Sequence, residues 1–173
     1  AIADNKRVNI IGKEAMLTHS INVDGIYFNL IGNADRVDFE GDTLRIIDYK
    51  TGKVEQQEII FTEYDELIDN PKKSKAFQLL MYAYLYLKMH PNYIGSNVIA
   101  GNFSFKNLTS GLLKVSKKIN SKKSETLNVN QNVIDNFESQ LEIVLTKINN
   151  NDFVQTNDLK NCEWCDYRSI CRR

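Results

Sequence analysis

Residues 32–50 read GNADRVDFEGDTLRIIDYK, which is typical of a β-hairpin that carries two carboxylates and a lysine. Gly41-Asp42 fits a two-residue type II′ turn, because this turn favours glycine at its first central position. Counting outward from the turn, Asp35 faces Asp48, and the Cβ atoms of such cross-strand partners lie roughly 4.5–5.5 Å apart. Lys50 lies two residues beyond Asp48 and therefore points to the same face of the strand.

The residues that flank the two carboxylates indicate that this face of the hairpin is buried. On the opposite face, Asp38 pairs with Arg45 as an ordinary cross-strand ion pair. Two buried carboxylates repel each other unless a cation lies between them, and burying them unpaired is costly. We therefore expect a metal site rather than a solvated hairpin. The flanking residues on the inward face are all apolar: Val37, Phe39, Leu44 and Ile46.

The predicted site has the components needed to cleave a phosphodiester with a divalent cation. Mg²⁺ prefers oxygen ligands, commonly one or two carboxylates with waters and substrate phosphate oxygens. Asp35 and Asp48 would supply the carboxylates, and the backbone carbonyl of Tyr49 would add a third oxygen. Such a cation polarises the phosphate and acidifies a bound water. Lys50 would position that water or stabilise the developing negative charge.

The hairpin resembles the signature of RecB-type nuclease domains of the PD-(D/E)xK superfamily, in G-x2-D-R-V-D (32–38) and I-D-Y-K-T-G (47–52). Asp35 matches the first acidic ligand of that family, and Asp48 with Lys50 matches its (D/E)xK element. The resemblance implies an α/β fold with a restriction-endonuclease-like core, in which helices flank a central mixed β-sheet. It also implies a deoxyribonuclease that uses Mg²⁺ or Mn²⁺.

A helix from Ser74 to about Met89 follows the hairpin, and it is apolar nearly all round, which favours burial on most sides. Gln78 and Tyr82 are separated by four residues and therefore share a face of this helix. They resemble the QxxxY motif that RecB-type domains carry on the same helix, which implies that they orient the DNA strand. The alternative is a core glutamine bonded to the backbone, next to one of several tyrosines.

Three cysteines lie within ten residues of each other, Cys162, Cys165 and Cys171. A secreted disulfide framework would spread an even number along the chain, so this cluster indicates metal ligation in a reducing cytoplasm. It resembles three of the four cysteines that hold a [4Fe–4S] cluster in the AddB-like and CRISPR-associated branches. The fourth cysteine is absent from this chain. Zinc with a histidine, or plain thiols, are the alternatives.

Two histidines are present, and RecB-type domains often use an upstream histidine as an additional metal ligand. His19 is expected on a strand next to Asp35. His90 ends the predicted helix beside Pro91, which favours a helix-terminal role. The resemblance therefore implies that the additional ligand, like the fourth cysteine, precedes this chain.

The composition is ordinary for one globular domain of 173 residues and 19.9 kDa, which we expect to span residues 1–173. The first residue is not methionine, so we expect a C-terminal fragment of a longer protein. No apolar run reaches the roughly 18 residues of a membrane span.

The formal net charge is zero, so DNA binding would need a local basic surface. Eight lysines could form this surface, and the alternative is that they are simply solvated. They are Lys72, Lys73, Lys75, Lys114, Lys117, Lys118, Lys122 and Lys123.

The remaining pattern predicts further strands, a second long helix and two irregular segments. The helix begins after Asn130 or Asn132 and ends near Lys147. Residues 54–73 are irregular, with a helical turn near residues 62–68, and residues 106–128 form a hairpin excursion. The expected strands cover residues 7–11, 14–23 and 97–105.

These patterns together predict a DNA nuclease domain of a repair or recombination enzyme, with a helicase domain or subunit as partner. A CRISPR-associated nuclease of spacer acquisition shares the same motifs and is the first alternative. A non-catalytic DNA-binding scaffold of the same fold is the second alternative. That scaffold would tolerate the loss of Asp35, Asp48 or Lys50, whereas an enzyme would not.

Overall fold

A five-stranded mixed sheet with the strand order β1-β2-β3-β5-β6 forms the centre of the computed structural model. The structure describes residues 7–151, 154–157, 159–163 and 165–172. None of the helices in these ranges is long and apolar enough to cross a membrane. The elements are β1 (Val8–Val23), β2 (Ile26–Glu40), β3 (Thr43–Lys50), β4 (Ile60–Phe61), α1 (Glu66–Asp69), α2 (Ser74–Met89), β5 (Asn97–Ser104), β6 (Leu113–Lys114), β7 (Ser116–Lys118), β8 (Ser124–Thr126) and α3 (Gln131–Asn149).

The central hairpin forms in the register that was counted from its turn. Pairs run from Glu40 and Thr43 beside the turn to Arg36 and Ile47 at its far end. Gly41 has φ +59°, as the first central residue of a type II′ turn requires, and the residue after it does not share the positive φ. The predicted hairpin, and with it the α/β fold with a mixed sheet flanked by helices, is confirmed.

The first strand is continuous, whereas the sequence pattern predicted two short strands at residues 7–11 and 14–23. A β-bulge lies between the paired residues Ile10 and Gly12. Glu14 has φ +47°, and the ladder skips from the pair before it to the pair after it, so that Glu14 and Asp35 are not paired. These irregularities bend β1 without ending it, which is why its alternation looks interrupted.

The third and fifth strands pair in parallel, because α2 carries the chain back across the sheet between them. This register sets Asp48 beside Asn102 and Lys50 beside Ser104. The sixth strand then pairs antiparallel with β5 at the outer edge. Residues at the ends of two strands distant in sequence are therefore brought together.

The second helix packs closely against the sheet, and most of its side chains are buried. A Cβ atom added at Gly32 would lie 3.0 Å from Cδ1 of Leu85 and 3.0 Å from Cδ1 of Tyr82. The backbone of β2 therefore contacts α2 directly at Gly32. The buried side chains of the helix are Ala76, Leu79, Leu80, Ala83, Tyr84, Leu85, Tyr86 and Leu87.

We expect Gly32→Ala to lower the free energy of unfolding by about 1–3 kcal/mol, because the added methyl group overpacks this contact. The measurement is urea unfolding followed by circular dichroism. Gly52→Ala is the matched control, since a Cβ at Gly52 would meet nothing within 4 Å. Equal unfolding midpoints in the two variants would contradict the proposed close contact.

The third helix begins where the sequence predicted, because the side chain of Asn130 accepts a hydrogen bond from the backbone N–H three residues on, at 3.1 Å. The ring of Phe137 packs against Phe77 and Tyr84 of α2, with centroid distances of 5.3 and 5.9 Å. These contacts attach α3 to the side of α2 and complete the helical layer.

A second, three-stranded sheet with the order β4-β7-β8 lies beside the central sheet. Its β7–β8 hairpin confirms the excursion predicted for residues 106–128. The prediction of irregular structure over residues 54–73 is wrong at β4, and α1 supplies the predicted helical turn. A two-residue strand has no alternation of its own, and only its pairing with β7 defines it.

The predicted cross-strand ion pair of Asp38 and Arg45 is present, and it is buried. Asp38 is 0% exposed and Arg45 is 5% exposed. Arg45 donates two hydrogen bonds to the Asp38 carboxylate at 2.6 and 3.0 Å, and Arg36 Nε lies 2.7 Å from the same carboxylate. Both faces of the hairpin are therefore covered near its turn.

We expect Asp38→Ala to cost about 3–5 kcal/mol of unfolding free energy, because it removes the buried carboxylate that the buried guanidinium group of Arg45 and the neighbouring Arg36 share. Glu40→Ala is the control, since Glu40 also binds Arg45 but its side chain is 36% exposed. Its loss should cost no more than about 1 kcal/mol. Urea unfolding measures both changes, and similar losses would contradict a special role of the buried pair.

Candidate active site

Four of the predicted site residues form one chain of hydrogen bonds at the end of the hairpin. The ammonium group of Lys50 lies 2.9 Å from Oδ2 of Asp48. It also donates to Oε1 of Gln78 at 2.8 Å. Gln78 in turn donates from Nε2 to the hydroxyl oxygen of Tyr82 at 2.8 Å. The (D/E)xK element and the QxxxY motif, which are far apart in sequence, are therefore in direct contact.

Local structure explains why these side chains meet. Asp48 and Lys50 are two residues apart on β3 and share the face that α2 covers. Gln78 and Tyr82 are four residues apart on α2 and share the face towards the hairpin. The missing side chain of Gly32 leaves room for the ring of Tyr82 against β2. The alternative of a glutamine bonded to the core backbone is therefore wrong, because Gln78 bonds to the side chains of Lys50 and Tyr82.

Asp35 approaches the same site from the neighbouring strand. Its Oδ2 accepts a hydrogen bond from the backbone N–H of Tyr49 at 2.5 Å. The β2–β3 ladder ends at the pair of Arg36 and Ile47, one residue before Asp35. The Asp35 carboxylate therefore takes the Tyr49 N–H that the next ladder bond would have used. The charge of Asp35 is close enough to raise the pKa of Asp48. The predicted proximity of the two carboxylates is present, although the two residues are not a ladder pair.

Tyr49 directs its side chain away from this site. Its hydroxyl oxygen accepts a hydrogen bond from Arg36 at 2.8 Å, and its ring stacks on Phe105 with a centroid distance of 5.7 Å. Only the backbone of Tyr49 is therefore available beside Asp35. The predicted contribution of its carbonyl oxygen to metal binding stays a prediction.

The carboxylate of Asp48 is nearly buried, with 5% of the residue exposed. Burial raises its pKa above the ordinary value, the Lys50 ammonium lowers it, Asp35 raises it and a hydrogen bond from Asn102 lowers it. The net direction is upward. A positive charge beyond that of Lys50 would stabilise this carboxylate in its ionised form.

Asn102 belongs to the site, but the sequence did not identify it. It is 0% exposed, and its Nδ2 donates to Asp48 Oδ2 at 2.7 Å. The sequence signal that could have indicated Asn102 is a polar residue on the same strand face as the apolar Val98 and Ala100. That signal gains meaning only once the parallel register sets Asn102 beside Asp48.

The oxygen atoms at this site suit a hard divalent cation. Within the described ranges both hydrogen bonds to the Asp48 side chain reach Oδ2, and none reaches Oδ1. The buried Oδ1 of Asn102 has no partner there either. No group of three or more His, Cys, Asp or Glu side chains in those ranges could hold a metal. A cation at Asp35 and Asp48 would therefore need carbonyl, water or phosphate oxygens as its other ligands, as Mg²⁺ commonly has.

The cysteines lie in the C-terminal segment and are free thiols. Cys162 is buried, Cys171 is partly buried and Cys165 is exposed. The backbone N–H of Cys165 donates to the carbonyl of Cys162 at 3.3 Å, in a turn. The described part of the chain does not arrange them as a metal-binding group. Their ligation of an iron–sulfur cluster stays a prediction.

Both histidines contact tyrosines of α2. The ring of His19 meets Tyr84 edge-on at 5.7 Å, and His90 lies 4.5 Å from Tyr86. His90 is the C-terminal cap residue of α2, which confirms its predicted helix-terminal position. The structure does not group His19 with the carboxylates of the site as a metal-binding cluster.

We expect His19 to make folding stability depend on pH. Burial, and then the charge of Lys88, lower the pKa of His19 below its ordinary value, while Glu138 raises it. The unfolded chain therefore binds this proton more readily. Stability is full above the unfolded pKa of about 6.5 and is lost as the pH falls through the folded pKa.

Urea unfolding between about pH 7.5 and 5.5 measures this loss of stability. His19→Gln should lose less stability over this interval than the unmodified chain. Thr18→Gln, at the exposed and non-titratable neighbouring position, is the control and should keep the full decrease. The same pH dependence in the unmodified chain and in His19→Gln would contradict the expected linkage.

The lysines of the predicted basic surface are partly engaged within the fold. Lys73 donates to the backbone carbonyls of Gln57 and Ile60 at 2.8 and 2.6 Å. Lys75 pairs with Glu58. These two lysines therefore stabilise the start of α2. A role of the lysine groups in binding DNA stays a prediction.

Comparison with known proteins identifies the family of this chain. A family model described as the PD-(D/E)XK nuclease superfamily matches residues 2–172, and the chain therefore belongs to this superfamily. Proteins of this superfamily are generally nucleases. A search of curated proteins finds no match.

Similarity to solved structures is also present. A structure titled "Crystal structure of SSO0001" aligns at 15% sequence identity with a TM-score of 0.44. The alignment covers 97% of this chain and 62% of that chain. This chain thus spans less than two thirds of the length of that protein.

Proposed function

We propose that this chain is a Mg²⁺- or Mn²⁺-dependent deoxyribonuclease domain of the RecB type, in its AddB-like branch. We further propose that it acts in DNA repair or recombination together with a helicase domain or subunit. The single observation that carries the proposal is the contact of Asp48, Lys50 and Gln78 through the Lys50 ammonium. Membership of the nuclease superfamily supports the same class of reaction.

The charges at the site favour function over a structural role. Asp48 is buried and has a raised pKa, although Lys50 is 2.9 Å away, and Asp35 adds a second negative charge. A hydrophobic pair of similar volume would stabilise such a fold at least as well. Perturbed carboxylates beside a lysine are typical of catalytic sites, where each charge has a chemical task.

Asp35 and Asp48 would hold the cation, with the carbonyl oxygen of Tyr49 as a third protein ligand. When bound, the cation would polarise the scissile phosphate and lower the pKa of a water molecule. The Asp35 carboxylate is held at the edge of β3 by the Tyr49 N–H, so its position does not depend on a flexible loop. The two carboxylates would thus be preorganised by the sheet, Asp35 through its bond from the Tyr49 N–H and Asp48 through its place in the β3–β5 ladder.

Lys50 would position the attacking water or stabilise the negative charge that develops on the phosphate. Gln78 fixes the ammonium group from the helix side by accepting one of its three N–H bonds. The Tyr82 hydroxyl oxygen accepts from Gln78, and its own O–H can still donate to a phosphate oxygen of the bound strand. Gln78 and Tyr82 would therefore orient the strand relative to Lys50.

The cysteines suggest a separate structural metal site. We propose that Cys162, Cys165 and Cys171 hold a [4Fe–4S] cluster with a fourth cysteine from outside this chain, which has only three. Metal ligation needs deprotonated thiols rather than disulfides, and these three cysteines are free thiols in the described structure.

We expect Lys50→Ala to lower the rate of DNA cleavage by at least about 100-fold, because it removes a fixed charge from the reacting phosphate. The measurement is Mn²⁺-dependent cleavage of end-labelled single- and double-stranded DNA. Lys53→Ala is the matched control, since Lys53 is an exposed lysine on the same segment that pairs with Glu55. Circular dichroism and urea unfolding should show that both variants are folded.

Two outcomes would contradict the proposal in different ways. Cleavage at the same rate in Lys50→Ala and in the unmodified chain would exclude the proposed site. DNA binding without cleavage in the unmodified chain, unchanged in Lys50→Ala, would favour the non-catalytic scaffold.

A further inference from the structure

The junction of β3 and β5 holds a buried asparagine whose side chain bonds to Asp48. Nδ2 of Asn102 donates to Oδ2 of Asp48 at 2.7 Å and lies 3.3 Å from the backbone carbonyl oxygen of the same residue. Asn102 is fully buried. Because the two residues are direct neighbours in the parallel ladder, this contact is held by both strands.

We propose that Asn102 is a positioning residue that orients the carboxylate of Asp48 for the divalent cation, an inference that rests on the function proposed above. Its amide N–H holds Oδ2 and leaves Oδ1 of Asp48 free of hydrogen bonds in the described structure. The strand pairing fixes the direction of this bond. Asn102 would therefore act through Asp48 and would not touch the substrate.

The chemistry of the two donors on Oδ2 explains why asparagine suits this position. Lys50 also contacts Oδ2, at 2.9 Å, but its ammonium group is shared with Gln78 and would serve the phosphate during cleavage. Asn102 is short, and its bond to Oδ2 is held by the β3–β5 ladder. Its amide is neutral, so it holds the carboxylate without repelling a cation on Oδ1.

A purely structural role does not account for Asn102. The neighbouring positions on the same face of β5 are the apolar Val98 and Ala100, and both are buried. Asn102 instead carries a buried Oδ1 that has no hydrogen-bonding partner within the described ranges. Leaving such an atom unbonded costs stability, and the bond that Nδ2 makes to Asp48 offsets this cost. The benefit of asparagine is therefore its bond to Asp48.

The test is a thermodynamic cycle of Mn²⁺ affinity, measured by calorimetry on the full chain at one pH. It compares the unmodified protein with Asn102→Ala, Asp35→Ala and the double variant. We expect Asn102→Ala to weaken binding about 10- to 100-fold, the range typical of residues that orient a metal ligand. The same loss should appear in the Asp35→Ala background, because the affinity left there depends on Asp48.

A second cycle with Asp48→Ala separates positioning from a general structural effect. Once Asp48 is removed, Asn102→Ala should cause no further loss, whereas a structural defect would still weaken the residual binding through Asp35. Asn102→Leu fills the same space and should reproduce the Asn102→Ala result even if the alanine variant folds poorly. Ser104→Ala is the control, since Ser104 is buried on the same strand face but bonds to Gly52.

The outcomes distinguish this inference from the proposed function. Absence of Mn²⁺ binding in the unmodified chain would overturn both. Binding that Asp48→Ala weakens but both Asn102 variants leave unchanged would overturn the positioning role alone. An equal loss in Ser104→Ala would also overturn it, because the effect would then not be specific to the contact with Asp48.

Discussion

The buried carboxylate of Asp48 is the constraint on which the rest of the site depends. A carboxylate with so little access to water needs donors on its oxygens, and Lys50 and Asn102 supply them from two strands. Gln78 then anchors Lys50 from the helix. Strand pairing, helix packing and the electrostatics of the site are thus linked at one atom, Oδ2 of Asp48.

Irregular backbone places the second carboxylate. The β1–β2 ladder skips Glu14 and Asp35, and the β2–β3 ladder ends just before Asp35. Asp35 is therefore outside regular pairing on both sides, and its side chain takes the N–H of Tyr49 instead. Departures from regular strand geometry are common beside functional sites, because they redirect one side chain without breaking the sheet.

Helix packing converts these local features into a site. The contact at Gly32 brings Tyr82 against β2, and the same face of α2 presents Gln78 to Lys50. Members of the PD-(D/E)XK superfamily, to which this chain belongs, are generally nucleases, and this geometry agrees with that class of reaction.

Local sequence was sufficient for the hairpin and for the two long helices. A two-residue turn fixes antiparallel register by counting, and the long apolar segment predicts α2, so Asp35, Asp48 and Lys50 were predicted to lie together without a structure. Asn102 was not, because it meets Asp48 across 54 residues of chain and parallel register has no turn to count from. The helix α2 connects the two strands in sequence, and its packing against the sheet sets that register. Only the tertiary structure could therefore reveal the partner that holds the central carboxylate.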